Sequence, residues 1–109
     1  MKAAIYCRVD QGGNAEMQHE ALESQRIRLE EYALCHNIQI TGYYEDCGYP
    51  GYLTDRPGLE QLIHDCLKGH FDTVSVLNHN RLYRGNRYKQ PKWPFQIREI
   101  NQLQQDMER

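Results

Sequence analysis

Three short β-rich runs, separated by two stretches with helical spacing, limit what this chain can fold into. Residues 3–9, AAIYCRV, read as a buried strand, because a short, nearly continuous apolar run suits a sheet covered on both faces. Gly12 and Gly13 then open a loop, and Asn14 offers a side-chain acceptor to the free N–H groups of a following helix. That helix is expected to run to about His36, with Ala21, Leu22, Gln25, Leu29, Tyr32 and Ala33 on one face. Residues 38–44, IQITGYY, alternate as a second strand. A loop rich in glycine and proline follows, and Asp55 and Pro57 signal the start of a second helix that Gly69 ends. Residues 72–77, DTVSVL, give a third strand. This alternation predicts a mainly parallel sheet with right-handed crossovers and helices on both faces, a three-layer α/β sandwich.

The 109 residues suit one domain over 1–109, with no separate nucleic-acid-binding module. Residues 86–109 form a divergent tail. Pro91 and Pro94 forbid a continuous helix through it, whereas Phe95, Ile97, Ile100, Leu103 and Met107 predict a helix over 95–108. Cys7, Cys35, Cys47 and Cys66 show no metal-like or CxxC spacing and are expected to be reduced. No signal peptide or membrane span is legible, so the expected location is the cytoplasm.

In an open α/β sheet, sites form beyond the carboxyl ends of the strands. Those ends bring together CRVDQ, YEDCGYPG and NHNRLYRGNR. Arg8, Arg81 and Arg84 are the cations closest to the sheet, and Arg56 can reach in from the second helix. Several guanidiniums around one crevice suit a phosphate, which they bind bidentately, or the charge of a phosphoryl-transfer transition state. Asp10 stands where a nucleophile would be sought. The net charge of −2 excludes a generic polycation but not a local basic face. Between Asp72 and Glu99 there is no acidic residue, while Arg81, Arg84, Arg87, Lys89, Lys92 and Arg98 supply positive charge. Tyr83, Tyr88 and Trp93 are interleaved with them, a mixture suited to a nucleic-acid backbone and its bases. A plain solvated surface would carry the same arginines. His79 adjoins this cluster as either a phosphate contact or a loop residue without a role. The five histidines share no ligand spacing, and Glu45 and Asp46 lack identifiable partners, so no metal or cofactor is expected.

The segments IYCRVDQGGN, LESQ at Leu22–Gln25, YEDCGYPGYLTDRPGL and LNHNRLYRG occur in the order of the motifs of serine recombinases, the resolvases and invertases, and resemble them over residues 3–85. The resemblance implies a resolvase-like catalytic domain, ending early at its C-terminus. In that family a serine at the end of the first strand attacks a DNA phosphodiester, and an arginine cage stabilises the transferring phosphate without a metal. Tyr6, Arg8, Arg56, Arg81 and Arg84 match the pattern. The departures cluster at the chemistry: Asp10 takes the serine's place, Asn14 that of a glutamine, Pro50 that of a loop serine, Asn80 that of an aspartate and Tyr83 that of a second serine.

The resemblance therefore assigns the catalytic positions to Arg8, Asp10, Arg81 and Arg84. Tyr6, Arg56, Asn80, Arg87, Lys89 and Lys92 are the expected phosphate or DNA contacts. It implies DNA as the ancestral partner, and a homo-oligomer or a hetero-oligomer with an intact recombinase. A carboxylate is a weaker nucleophile than an activated serine, repels the DNA phosphate, and would form a labile acyl phosphate. The expectation is a recombinase domain deficient in cleavage. The alternatives are a regulatory module that pairs with an intact recombinase and a conditionally active strand-transfer enzyme.

Overall fold

The computed structural model describes residues 2–10, 12–49, 55–84 and 91–100. Four strands, β1 (Lys2–Val9), β2 (Gln39–Cys47), β3 (Thr73–Val76) and β4 (Gln96–Glu99), form one sheet in the order β2-β1-β3-β4. Every neighbouring pair is parallel. Helix α1 (Ala15–Cys35) connects β1 to β2, α2 (Pro57–Leu67) connects β2 to β3, and a single 3-10 turn (His79–Arg81) follows β3.

The pleat of β1 splits the core. Ala4 and Tyr6 face α2 with Val74 and Val76 of β3, over Leu59, Leu62 and Phe71. Ile5, Cys7 and Val9 face α1, over Leu22, Leu29 and Tyr32. The helices therefore cover opposite faces, and the three-layer expectation holds. Fully buried leucines such as Leu29, Leu59 and Leu62 each contribute roughly 1.5–3 kcal/mol through burial.

The helix signals work locally. Asn14 caps α1, its side chain accepting from the Met17 N–H at 2.8 Å. Of the expected apolar face, Leu22, Gln25, Leu29, Tyr32 and Ala33 are buried, while Ala21 lies exposed. Pro57 sits in the first turn of α2, where its missing N–H costs nothing. Asp55 is not the cap, because Arg56 occupies that position and offers no side-chain bond. The acceptor comes from β2 instead: Asp46 receives the N–H groups of Gly58 at 2.7 Å and Leu59 at 2.9 Å. Gly58 must be glycine, since a Cβ there would collide with the backbone oxygen of Glu45.

Two boundaries differ from expectation. β2 extends to Cys47 rather than ending near Tyr44, because it follows β1 in register through Arg8–Asp46 and Val9–Cys47. The helix expected over 95–108 is incorrect at its start, where Gln96–Glu99 form β4, paired from Thr73–Gln96 to Val76–Glu99. Phe95 and Ile97 alternate toward the α2-side core, whereas Ile100 joins the α1-side core. The apparent helical stripe joined a strand's two-residue period at Phe95 and Ile97 to Ile100, which is itself helical. Residues 101–108 lie outside the described residues.

Candidate functional site

β1 outruns β3. Their pairing ends at Ile5–Ser75, while β1 continues to Val9. The side chain of Gln25, projecting from α1, takes both backbone groups of Arg8: its Oε1 accepts from the Arg8 N–H at 3.3 Å and its Nε2 donates to the Arg8 carbonyl at 3.0 Å. Arg81 Nη1 donates to the same carbonyl at 3.2 Å. A buried amide thus replaces the missing strand and fixes the tip of β1.

Arg8 is only 1% exposed, and its guanidinium is turned inward. Its Nε donates to the Arg81 carbonyl at 3.0 Å, Nη2 to the Asn80 carbonyl at 2.7 Å, and Nη1 to the Tyr49 carbonyl at 2.9 Å. Nη1 also pairs with Asp10 Oδ1. Arg56, wholly buried, donates through Nη1 to the Arg81 carbonyl at 3.2 Å and through Nη2 to the Leu82 carbonyl. Its guanidinium carbon lies 5.6 Å from the centre of the Tyr6 ring, within cation–π range. Two buried guanidiniums therefore gather the carbonyls of residues 80, 81 and 82. They shape the backbone that presents Arg81 and Arg84.

Tyr6 completes the buried layer by donating its hydroxyl to Asp46 Oδ2 at 2.7 Å. Burial, reinforced by this bond to a carboxylate, pushes the Tyr6 hydroxyl far above its usual range, so it stays protonated. Burial lowers the Arg56 and Arg81 pKa values, and the nearby Arg8 charge acts in the same direction on both.

The solvent side differs. Arg84 is 64% exposed and pairs through Nη1 with Asp10 Oδ2 at 3.0 Å. The Asp10 carboxylate thus bridges a buried arginine and an exposed one. Asn80 is exposed, its backbone N–H donating to the Asn78 side chain at 3.1 Å. His79 Nδ1 lies 3.5 Å from Glu99, linking the turn to the end of β4.

The structure thus brings Arg8, Asp10, Arg81 and Arg84 together, with Tyr6 and Arg56 buried beneath them. It does not bring Lys92 to them. The chain enters β4 at the amino edge of the sheet, where Pro94 lines a cleft with Lys2 and Asp72. Trp93 stacks on Phe95 at 5.4 Å and packs against the α2-side core. Arg87, Lys89, Tyr88 and Pro50 lie outside the described residues.

Sequence reasoning missed the roles of Asp46 and Gln25. A glutamine within an apolar helical stripe is the signal for the second. The first shows only once β2 is placed beside α2. Among the described residues no group of three or more His, Cys, Asp or Glu side chains could hold a metal. No helix among them is long and apolar enough to cross a membrane.

A parallel α/β sheet with its polar cluster beyond the carboxyl edge of the strands defines the doubly wound class of domains. The particular family follows from comparison. Residues 3–88 match the family described as "Resolvase, N terminal domain", and the chain belongs to that family. Its structure is similar to the N-terminal catalytic domain of TP901-1 integrase, at 35% identity and a TM-score of 0.66, over 78% of this chain and 60% of that one. It is also similar to the C-terminal catalytic domain of ISC1926 TnpA, an IS607-like serine recombinase, at 25% identity and a TM-score of 0.76, over 98% of this chain and 77% of that one. A resolvase family site-specific recombinase from Streptococcus pneumoniae matches at 25% identity and a TM-score of 0.61, over 78% and 58% of the two chains. The chain therefore spans about three-fifths of two of these three relatives. No curated protein matches it.

Proposed function

We propose that this chain is a DNA-recombination domain of the resolvase family that does not itself cleave DNA. The observation that carries this reading is the state of position 10. The family pattern has a serine hydroxyl there, and this chain has a carboxylate whose two oxygens are engaged by Arg8 and Arg84. Charge-assisted bonds to both oxygens draw electron density from the group and hold it in place. Neither effect favours attack on phosphorus, and the negative charge repels an incoming diester.

The remaining site residues then have divided roles. Arg8, Arg56 and Tyr6 maintain the scaffold, while Arg81 and Arg84 face the DNA phosphate. Asn80 lies beside Arg81 on the same turn.

The test is incubation with nicked suicide duplexes carrying family recombination sites, followed by denaturing electrophoresis, with an intact resolvase as positive control. The expected result is a covalent adduct for the control and none for this chain. An adduct formed by this chain would overturn the proposal.

A further inference from the structure

Arg8 carries a charge into a place almost sealed from water. Among its bonded acceptors, three are neutral backbone carbonyls and one is a carboxylate, that of Asp10. Carbonyls satisfy donors but leave the charge uncompensated, so the carboxylate is the counter-ion. Its second oxygen reaches Arg84 at 3.0 Å. One anion bridging two guanidiniums through two oxygens is the arrangement by which such groups hold a phosphate ester.

We infer that Asp10 is a built-in competitor for a phosphate oxyanion, closing the arginine cluster until it is displaced. The inference rests on reading this cluster as the resolvase-family site. Asp10 lies past the end of β1 and is 42% exposed on its side chain, within reach of a competing anion from solvent. Its own carbonyl and that of Gly12 are held by Gln18 Nε2, at 3.5 and 3.2 Å. Gly12 and Gly13 adopt φ values of +141° and +68°, a backbone path that other residues rarely take. The carboxylate is thus held by two charged contacts, on a segment that takes no part in the Gln25 clamp on Arg8. If the closed form outweighs the open one about ten to one, phosphate affinity falls about tenfold.

The experiment measures binding of inorganic phosphate to the 109-residue chain by calorimetry and thermal denaturation, against chloride at equal ionic strength. The wild type is expected to show no phosphate-specific rise in Tm. Asp10→Ser is expected to bind at least about tenfold more tightly and to gain Tm with phosphate. Adding Arg84→Ala to Asp10→Ser is expected to abolish that gain. Should Asp10→Ser fail to fold without phosphate, Asp10→Asn, which keeps a neutral acceptor for Arg8, provides the same comparison. Equal phosphate affinity in wild type and variant overturns the inference, as does a gain that survives Arg84→Ala. Either outcome leaves the cleavage reading intact. A covalent DNA adduct from the wild type overturns that reading without altering the phosphate comparison.

Discussion

Arg8 and Arg84 grip the same carboxylate from opposite sides, yet they belong to different parts of the molecule. Arg8 is sealed beneath the tip of β1 and spends most of its donors on the carbonyls of Tyr49, Asn80 and Arg81. Arg84 stands in solvent. One is part of how the chain folds, and the other is part of what the folded chain can touch. The contrast teaches that a family's cage of arginines need not be uniform. Its inner members organise the backbone, whatever the outer members touch.

The largest expected effect falls on the inner region. Arg8→Ala removes the partner of three backbone carbonyls and a counter-ion, and is expected to cost about 3–5 kcal/mol in urea denaturation. Arg8→Lys is expected to recover little, because an ammonium cannot reproduce the planar fork. Next comes Gly58→Ala, expected to cost roughly 1–3 kcal/mol, because its Cβ meets the rigid backbone of Glu45. The same denaturation measurement reads it.

Arg84→Ala is expected to change stability by less than about 1 kcal/mol, since its pair with Asp10 is exposed to water and screened. If Arg84→Ala and Arg8→Ala proved equally costly, the division between scaffold and tip would be broken.

The smallest effect is on the acid side, away from the site. The hydrogen bond from the Tyr44 hydroxyl, 2.5 Å from Asp65 Oδ2, is the main cause holding that carboxyl below its usual range. A depressed carboxyl contributes stability above its unfolded pKa and loses it as pH falls through the lower folded value. Asp65→Asn should therefore lower Tm slightly at neutral pH, and the difference from wild type should vanish on acidification.

Most of the fold was legible because each helix carried its own punctuation. Asn14, Pro57 and Gly69 act through local backbone chemistry, which a single sequence displays. β4 was not legible. A four-residue strand has too short a period to outweigh the helical spacing of Phe95, Ile97 and Ile100, and its hydrogen bonds depend on β3 more than twenty residues earlier. The same division runs through the site. The convergence of Arg8, Asp10, Arg81 and Arg84 followed from strand order alone. The burial of Arg56 and the capping of α2 by Asp46 required knowing which side chains the layers enclose. Lys92 stands apart from that cluster, because closeness along the sequence is not closeness on the sheet.

The most direct test of the central claim, that position 10 is a counter-ion and not a nucleophile, is the intact mass of the chain after incubation with a nicked suicide duplex and denaturation. The account predicts a single species at the unmodified mass, for the wild type and for Asp10→Asn alike. A second species, heavier by the mass of the covalently attached DNA strand in the wild type and missing in Asp10→Asn, would contradict it.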